Sequence, residues 1–495
     1  MADYDLAIIG GGINGAAIAR DAAGRGVRVV LFEQSDLASG TSSASTKLIH
    51  GGLRYLEHGA LRMVRGALAE REVLLKNAPH IIRPMRFVLP AVPGPRSPQM
   101  LRFGLFLYDW LGRRRILPGT QTVDLTHNPA GHPLMRRFIM GYEYSDCWVD
   151  DSRLVVLNAI DAAERGATIR TRTRVARAER EDTWRLILNI QGRRDVVTAR
   201  VLINAAGPWA GVVSETVVRT EGKPPLRLVK GSHIVVPKAF DHDRGYIFQN
   251  TDGRIVFALP FHDDFTLIGT TDDNFTGALD AVAPSADDVM YLCRAVNEYF
   301  RVKVEPEQVV WAFAGVRSLY DESAGRDAPE VVTRDYHLDL DERHGAAPVL
   351  TVYGGKITTH RKLAEEALEK TAHFFQLHRR WTASTPLPGG DFLWDAINIR
   401  VSQTLRSWPF LTEPEAWRLV RAYGTRVDRV LGAAKTREEV APFFGPLSAA
   451  EVRYLMKEEW ARTADDVLWR RSKLGLKLTA GEKELLARFM VQQTG

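Results

Sequence analysis

Residues 10–15 form a Gly-x-Gly-x-x-Gly segment, which constrains the fold of this chain more than any other feature. The segment follows an apolar stretch at residues 5–9, typical of a buried strand, and precedes a run with helical periodicity. In that setting Gly10 permits the tight turn, Gly12 lets the backbone approach a pyrophosphate, and Gly15 lets the helix pack on the strand. The helix N-terminus then faces the phosphate charge. The chain is therefore predicted to open with a dinucleotide-binding βαβ unit.

Glu33 lies at the end of the second strand that the pattern predicts, where its carboxylate is placed to accept hydrogen bonds from a ribose hydroxyl. Three later segments favour FAD over NAD as the dinucleotide. They are a strand that runs into a glycine turn (residues 201–209), a polar turn (residues 269–272) and a Gly-Gly turn that opens a helix (residues 354–359). A helix N-terminus at the last turn would stabilise negative charge on a reduced flavin ring.

Residues 41–57 (TSSASTKLIHGGLRYLE) predict chemistry beside the dinucleotide. Their small hydroxyl residues either bind phosphate oxygens or hold the backbone of the loop itself; they are Thr41, Ser42, Ser43, Ser45 and Thr46. His50 is the only histidine of the loop and is a candidate base, although a lone histidine is usually structural. The guanidinium of Arg54, with Tyr55 beside it, can recognise an anion.

Two later arginines, Arg317 and Arg334, extend this candidate anion site. A guanidinium binds carboxylate or phosphate through two parallel hydrogen bonds. Taken singly, each of the two arginines is also typical of a surface ion pair.

The charge of the chain favours anionic partners, since the net charge is +6 and the isoelectric point is near 9.2. Nucleic acid, acidic lipid headgroups and an anionic substrate are the candidates, and an arginine-rich composition without a function is the alternative. Residues 167–174 alternate as in a strand, and they begin a basic stripe formed by Arg170, Arg172, Arg174, Arg177 and Arg180. No aromatic residues interleave with the stripe, so no nucleic acid partner is predicted.

Residues 100–115 (MLRFGLFLYDWLGRRR) combine apolar and aromatic residues with arginines. This composition is typical of an interfacial helix, with the rings in the lipid boundary and the arginines at the headgroups. A core helix with a polar end is the alternative.

The remaining bulk features concern compartment and domains. The length predicts two or three domains. Cys147 and Cys293 are the only cysteines, so neither a disulfide framework nor a four-cysteine cluster is expected, and a reducing, cytoplasmic-side location fits. Neither an N-terminal signal nor an apolar run of spanning length is present, and no metal site is predicted. Residues 408–489 are helical and charged in pattern, which indicates a separate C-terminal domain.

With these motifs in place, the chain resembles the FAD-dependent glycerol-3-phosphate dehydrogenases of the aerobic, quinone-linked type over nearly its whole length. The segments that carry the resemblance are DLAIIGGGINGA (5–16), TSSASTKLIHGGLRYLEHG (41–59), EYSDCWVDDSRLV (143–155), NAAGPW (204–209), KGSHIVVP (230–237), IGTTD (268–272), GVRSL (315–319), TRDY (333–336), YGGKITTHRKLAE (353–365) and EEWARTADDVLWRR (458–471). Ser318 departs from the family, which often has proline after the arginine.

The resemblance implies an α/β fold in which a glutathione-reductase-like FAD-binding Rossmann domain is interleaved with an antiparallel-sheet substrate domain, followed by a C-terminal α-helical cap domain. Residues 1–385 would form the FAD-dependent oxidoreductase unit and residues 386–495 the cap. The FAD-binding parts of the unit would span about 1–75, 145–225 and 345–385, and the substrate-binding parts about 76–144 and 226–344.

The resemblance also implies an activity and its partners. The expected reaction is oxidation of sn-glycerol 3-phosphate to dihydroxyacetone phosphate, by hydride transfer from C2 to flavin N5, with electrons passed to ubiquinone or menaquinone. The protein is then expected on the cytoplasmic side, peripherally attached to the inner face of the cell membrane, and a homodimer is compatible with the sequence.

The resemblance assigns roles to residues of this chain. His50 would be the base and Arg317 would assist catalysis, while the phosphate would be held by Arg54, Tyr55, Arg317 and Arg334, with Lys356 beside the substrate. The candidate FAD-binding residues are Gly10, Gly12, Asn14, Gly15, Glu33, Thr41, Ser42, Ser45, Thr46, Lys47, Val175, Ala205, Gly207, Thr270, Gly355, Lys356 and Thr358.

Three alternatives stay open at this point. An α-glycerophosphate oxidase would keep the substrate and pass electrons to oxygen, releasing peroxide. A basic flavoprotein acting on tRNA would account for the high isoelectric point. A non-catalytic lipid-binding module would account for the interfacial segment but would leave an intact FAD site without a purpose.

Overall fold

The computed structural model describes residues 2–57, 59–91, 98–112, 116–220, 226–321 and 335–494. The strands, numbered in chain order, are β1 (Tyr4–Ile9), β2 (Val29–Phe32), β3 (Leu48–Ile49), β4 (Ile82–Pro90), β5 (Gln121–Asp124), β6 (Met140–Val149), β7 (Thr168–Arg170), β8 (Arg174–Arg180), β9 (Trp184–Ile190), β10 (Arg193–Asn204), β11 (Leu226–Pro237), β12 (Gly245–Gln249), β13 (Ile255–Phe261), β14 (Phe265–Gly269), β15 (Asp273–Asn274), β16 (Trp311–Tyr320), β17 (His337–Asp341), β18 (Val349–Tyr353), β19 (Phe443–Phe444) and β20 (Leu447–Ser448). The helices are α1 (Ile13–Gly24), α2 (Leu61–Asn77), α3 (Pro98–Leu111), α4 (Asp151–Glu164), α5 (Ala210–Val212), α6 (Ala286–Asn297), α7 (His360–Lys370), α8 (Ile397–Ser407), α9 (Glu413–Tyr423), α10 (Val427–Leu431), α11 (Ala449–Glu458) and α12 (Ala480–Thr494).

The first large sheet is built around the N-terminal βαβ unit. Its strands follow the order β17-β18-β10-β1-β2-β7, with β9 paired to β10 and β8 paired to β9. The pairs β17–β18, β10–β9 and β9–β8 are antiparallel, and the other neighbours are parallel. Helix α1 packs against α4 and α7. A Cβ on Gly15 would lie 1.9 Å from the carbonyl oxygen of Gly10, so only glycine lets α1 approach β1 this closely. Gly10 itself has a φ of +114°, a conformation that L side chains rarely adopt.

The second large sheet is mainly antiparallel and carries residues from both halves of the chain. Its strands follow the order β15-β11-β14-β13-β12-β4-β6-β3, with β16 paired to β11 and β5 paired to β6. Helices α2 and α3 contribute side chains to the apolar cluster on one of its faces, and α6 contributes to the cluster that contains Phe248 and Phe300. The sheet therefore places β3 and β16, which flank the predicted anion site, in one layer.

The C-terminal helices α8 to α12 enclose their own apolar core around residues such as Val420, Val452 and Leu468. Buried ion pairs join this domain to the rest of the chain, among them Arg153 with Glu459. The arrangement of a Rossmann-like sheet, an antiparallel sheet and a helical C-terminal domain confirms the predicted fold class.

One predicted element is wrong. The alternation at residues 167–174 predicted a single strand, but β7 ends at Arg170 and β8 begins at Arg174. Arg172 between them has a φ of +52°, and its amide donates to the carbonyl of Ser35 at 2.8 Å. Because the chain turns at Arg172, the arginines of the stripe do not share one strand face.

Candidate active site

The glycine turn at residues 10–15 is joined to the end of β2 by hydrogen bonds within the protein. The amide of Gly11 donates to Glu33 Oε2 at 2.7 Å, and the amide of Ser35 donates to Glu33 Oε1 at 2.8 Å. Burial raises the pKa of Glu33, although these two backbone donors oppose the rise. The Glu33 carboxylate thus joins the glycine turn to the end of β2, at the position from which the sequence predicts ribose recognition.

The hydroxyl loop after β2 is held by protein contacts at each predicted position. Thr41 Oγ1 donates to the carbonyl of Val316 at 2.5 Å, and Ser42 Oγ accepts from the amide of Ile13 at 3.0 Å. The remaining contacts are Ser43 Oγ with the Gly40 carbonyl (3.3 Å), Ser45 Oγ with Asp151 (2.8 Å) and Thr46 Oγ1 with His233 Nε2 (3.0 Å). These contacts hold the loop, which is the second of the two roles that the sequence allowed, and the binding of phosphate oxygens by the hydroxyls stays a prediction.

Lys47 lies behind the loop in a buried ion pair. Its Nζ is 2.8 Å from Asp151 Oδ2 and also donates to the Ser43 carbonyl at 3.1 Å. Burial would raise the pKa of Asp151, but the ammonium groups of Lys47 and Lys473 hold it below its ordinary value. Lys47 thus anchors the loop to the start of α4, and its side chain does not line the cavity described below.

The backbone around His50 is held from two sides. Its amide donates to Thr358 Oγ1 at 3.3 Å, which ties the loop to the turn before α7. The next amide, of Gly51, donates to the hydroxyl of Tyr108 on α3 at 2.7 Å. That hydroxyl donates to the carboxylate of Asp146 at 2.9 Å, and Arg71 Nη1 lies 2.6 Å from the same carboxylate. A buried network thus reaches from α2 and α3 to the residue beside His50.

The predicted anion-binding residues meet in part. Arg317 on β16 lies with Nη2 2.5 Å from Asp272 Oδ1, and a Cβ on Gly231 would lie 3.0 Å from the same nitrogen. Lys356 Nζ lies 3.9 Å from the ring centroid of Tyr55. Arg54 precedes Tyr55 on the same 3₁₀ turn, and its Nε is buried without a hydrogen-bond partner among the described residues.

Arg334, the last predicted member of the anion site, lies outside the described residues. Ser318, where the resemblance leads to proline, lies beside Arg317 on β16. Its Oγ is 3.4 Å from the carbonyl of Gly207.

A cavity of about 400 Å³ is lined by residues of both large sheets. The predicted site residues that line it are Gly10, Gly12, Asn14, Glu33, Thr41, Ser42, Ser45, Thr46, His50, Tyr55, Val175, Ala205, Gly207, Thr270, Arg317, Gly355, Lys356 and Thr358. Gly15, Lys47 and Arg54 are not among the lining residues. Residues far apart in the sequence come together here: Asn14 Nδ2 donates to the carbonyl of Gly354 at 3.1 Å.

Comparison with known proteins identifies the family. The family model of FAD dependent oxidoreductases matches residues 5–361, and the model of the C-terminal domain of alpha-glycerophosphate oxidase matches residues 380–491. The chain is 48% identical over 491 residues to glycerol-3-phosphate dehydrogenase of Pseudomonas aeruginosa, covering 98% of this chain and 95% of that protein. It belongs to the FAD-dependent glycerol-3-phosphate dehydrogenase family.

Other relatives of the family fit the same assignment. Aerobic glycerol-3-phosphate dehydrogenase of Escherichia coli is 45% identical over 501 residues, covering 100% of this chain and 98% of that protein. D-erythritol 1-phosphate dehydrogenase of Brucella abortus is 49% identical over 485 residues, covering 97% and 96%. The structure of glycerol-3-phosphate dehydrogenase from Bacillus halodurans complexed with FAD has a TM-score of 0.76 at 26% identity, covering 99% and 94%. These matches confirm the family resemblance and FAD as the cofactor.

The residues at the glycine turn fit FAD, as expected for the family. Asn14 lines the cavity, and its Oδ1 is buried without a hydrogen-bond partner among the described residues. Gly12, the N-cap of α1, has no side chain to cap the helix, and Ser42 accepts from the Ile13 amide, so the rest of the helix N-terminus can face a ligand. An unpaired buried acceptor beside an open helix N-terminus matches the phosphate and ribose groups of a dinucleotide. Gly10, Gly12, Asn14 and Glu33 would hold the dinucleotide end of FAD.

Several cavity residues were missed by the sequence reasoning, among them His233 and Arg174. His233 on β11 lines the cavity and stacks on Phe313 with ring centroids 4.9 Å apart. Burial, together with the charges of Lys47 and Arg317, lowers the pKa of His233 to about 3, so this histidine is neutral at pH 7. A histidine directly before the apolar run Ile234–Val236 was the available signal. Arg174 also lines the cavity, but no local pattern indicated that position.

The basic stripe proves to be largely paired. Arg170 pairs with Asp195 at 2.8 Å, Arg172 with Asp466 at 2.6 Å, and Arg180 with Asp341 at 2.7 Å. These carboxylates reduce the positive potential that a polyanion would need. Across the described ranges, no group of three or more His, Cys, Asp and Glu side chains is placed to hold a metal ion.

Proposed function

We propose that this protein oxidises glycerol 3-phosphate to dihydroxyacetone phosphate at its FAD site. The observation that supports this proposal is the cavity itself, in which the dinucleotide turn, His50 and the cations Lys356 and Arg317 share one lining. A neutral polyol would not require two cations beside the flavin region, whereas a phosphate group would. Glycerol-3-phosphate dehydrogenases among the relatives at 45–48% identity support the same substrate.

The mechanism follows from the chemistry of the lining residues. When bound, FAD supplies a two-electron acceptor for the C2 hydride. His50 takes the proton of the C2 hydroxyl, for which its imidazole must lie within about 3 Å of that hydroxyl or reach it through water. Arg317, Lys356 and Tyr55 hold the phosphate, so that binding energy far from C2 orients the reacting bond. Arg54 supports this group from outside the cavity lining.

A second substrate is favoured by one specific relative. The D-erythritol 1-phosphate dehydrogenase of Brucella abortus, at 49% identity, is as similar to this chain as the glycerol-3-phosphate dehydrogenases are. Its named substrate has the same phosphate end and a longer polyol. We therefore include D-erythritol 1-phosphate as the alternative substrate of the same site.

The test of the substrate is anaerobic stopped-flow bleaching of the flavin in the holoenzyme. Glycerol 3-phosphate should bleach the flavin at concentrations at which glycerol does not. Equal bleaching by glycerol would overturn the role of the cations, and faster bleaching by D-erythritol 1-phosphate at equal concentration would select the alternative substrate.

For the electron acceptor we propose a membrane quinone, ubiquinone or menaquinone, with the protein attached peripherally to the inner face of the cell membrane. Helix α3 supports attachment, because Phe103, Phe106 and Trp110 are 65%, 61% and 67% exposed. None of the helices described is long and apolar enough to cross a bilayer. Quinone reduction without peroxide in an aerated assay is expected, and stoichiometric peroxide would identify an α-glycerophosphate oxidase instead.

A further inference from the structure

Two arginines, one from each domain, lie within three residues of a contact between the second sheet and the C-terminal domain. Arg83 lies on β4, and Arg421 lies in the last turn of α9. The chain segments that carry them are in contact: His80, just before β4, packs against Gly424, just after α9, where an added Cβ would lie 3.1 Å from the imidazole. None of these residues lines the flavin cavity.

Neither guanidinium has a hydrogen bond or an ion pair with any residue that the structure describes. Each lies instead over an indole ring, Arg83 at 4.6 Å from the ring centroid of Trp148 and Arg421 at 5.6 Å from that of Trp417. The Nε1 of Trp148 is also buried without a hydrogen-bond partner within the described ranges. An indole face attracts a cation but leaves its N–H donors unused.

Other arginines at the junction and within the C-terminal domain differ from these two, because each forms an ion pair. Arg153 pairs with Glu459, Arg418 with Glu451 at 2.7 Å, and Arg426 with Glu164 at 2.6 Å. Each of these three arginines therefore has a carboxylate partner. Arg83 and Arg421 are left with donors that can receive a ligand.

The charges of Arg83 and Arg421 also favour a bound anion. Burial lowers the pKa of Arg83, while burial and the charge of Arg83 lower the pKa of Arg421 to about 10. The exposed carboxylates of Asp263 and Asp243 attract the pair only from beyond ion-pair distance. Two like charges that are partly removed from water destabilise each other unless an anion lies between them.

We propose that Arg83 and Arg421 form a second anion site, separate from the flavin cavity, for a phosphate-class dianion. A guanidinium fork binds phosphate oxygens through two parallel hydrogen bonds, and a dianion can engage two forks at once. The same chemistry is offered by free phosphate and by a phosphate headgroup of a lipid. Because one arginine comes from each domain, an anion bound here also joins the C-terminal domain to the second sheet.

Thermal unfolding of the FAD-loaded protein at low ionic strength tests the site, with inorganic phosphate as the probe and chloride at matched ionic strength as the reference. Phosphate should raise the Tm more than chloride does. In Arg421→Gln and in Arg83→Gln the apparent phosphate affinity should fall roughly tenfold or more, because a charge-assisted hydrogen bond is lost. Without phosphate both variants should be at least as stable as the parent, since the like-charge repulsion is removed.

Two matched variants separate this site from general effects. Arg429→Gln removes an exposed arginine of the same domain that already pairs with Glu164 at 2.8 Å, and it should leave the phosphate response intact. Because inorganic phosphate can also bind beside Arg317 in the flavin cavity, Arg83→Gln and Arg421→Gln are also measured in the Arg317→Gln background, in which only the second site should respond. In that background, a phosphate response that survives in Arg421→Gln or Arg83→Gln, that is absent before either change, or that chloride reproduces would overturn the proposal.

Binding to lipid vesicles distinguishes a lipid headgroup from free phosphate as the ligand. Co-sedimentation with phosphatidylglycerol vesicles is compared with phosphatidylcholine vesicles for the parent and for Arg421→Gln. If the variant loses the preference for phosphatidylglycerol, the site belongs to a lipid headgroup. If the preference is unchanged while the phosphate response is lost, the site belongs to free phosphate.

Discussion

His50 stands on a backbone that is held on both sides by side chains from distant elements. The Thr358 hydroxyl accepts from its amide at 3.3 Å, and the Tyr108 hydroxyl accepts from the following amide at 2.7 Å. Because these contacts involve only the backbone of residues 50 and 51, a substitution of the His50 side chain should change proton transfer more than the shape of the loop.

Replacing His50 tests whether its side chain acts in proton transfer rather than in the shape of the loop. In His50→Gln we expect kcat to fall by about 10²- to 10⁴-fold, the range typical of a lost general base, with little change in KM. Steady-state kinetics with glycerol 3-phosphate, at equal FAD occupancy, measure both constants. A variant that raises KM and keeps kcat would assign His50 to binding rather than to proton transfer.

Arg317 is expected to act in binding. In Arg317→Gln a charge-assisted contact worth about 1.5–3 kcal/mol is lost, so KM should rise roughly 10- to 100-fold. The loss also removes the guanidinium that lies 2.5 Å from Asp272 Oδ1, so this carboxylate has less positive charge beside it when the phosphate arrives. Arg254→Gln is the matched control, because Arg254 pairs with Asp252 at 2.8 Å and does not line the cavity. An unchanged KM in Arg317→Gln would remove the phosphate role.

Among the elements, α3 connects the surface to the site. Leu105 and Tyr108 are buried in the apolar cluster of the second sheet, whereas Phe103, Phe106 and Trp110 face outward. One helix therefore carries both a candidate lipid-binding face and the hydroxyl that fixes the backbone beside His50. The arginines at residues 113–115, predicted to lie at the headgroups, fall outside the described residues.

A triple variant tests the outward face of α3. Changing Phe103, Phe106 and Trp110 to serine should weaken binding to phospholipid vesicles by about 10-fold or more per ring, since burying such a side chain contributes about 1.5–3 kcal/mol. Flavin bleaching by glycerol 3-phosphate should persist. Changing Leu485 and Val491, exposed on α12, to serine is the control that should retain vesicle binding. Equal loss in both variants would mean that α3 has no special role.

At the scale of the molecule, the C-terminal domain is fastened to the FAD-binding part by a buried ion cluster. Arg471 binds both carboxylate oxygens of Asp36 at 2.8 Å, and Asp36 lies in the loop that follows Glu33. Arg471→Gln removes two charge-assisted hydrogen bonds to Asp36 but leaves Arg470, whose Nε lies 2.5 Å from Asp36 Oδ2, so the free energy of unfolding should fall by about 1.5–3 kcal/mol. Denaturant unfolding measures this fall, and Arg488→Gln, at an exposed pair with Glu484, should change it by less than about 1 kcal/mol.

Buried neutral histidines should lower the free energy of unfolding at acid pH. Burial lowers the pKa of His80, His233 and His262 from 6.5 to about 3, and that of His360 to about 4. Between these values and 6.5 the unfolded chain binds more protons than the folded one, so stability is complete above pH 6.5 and is lost as the pH falls.

Urea unfolding between pH 8 and pH 5 should show this loss. Each histidine contributes a slope of up to about 1.4 kcal/mol per pH unit below 6.5. His80→Gln should flatten the slope by one such contribution, whatever its effect on stability at pH 8. A slope identical to that of the parent would show that His80 is protonated in the folded protein.

The sequence alone determined the features that depend on neighbours a few residues away. The glycine turn at residues 10–15 was predictable because backbone sterics act within one turn. Family motifs spread along the chain indicated the fold class and FAD, both of which were confirmed.

The tertiary structure decided which of these local features meet. The ion pair of Lys47 with Asp151, the hydroxyl of Tyr108 beside His50, and the position of Arg83 over the indole of Trp148 depend on contacts between segments that no local pattern relates. The break at Arg172 was missed for the same reason, since its turn is fixed by the carbonyl of Ser35. Periodicity reports which face of an element is buried, whereas the partner of a charge is chosen by the packing of the whole chain.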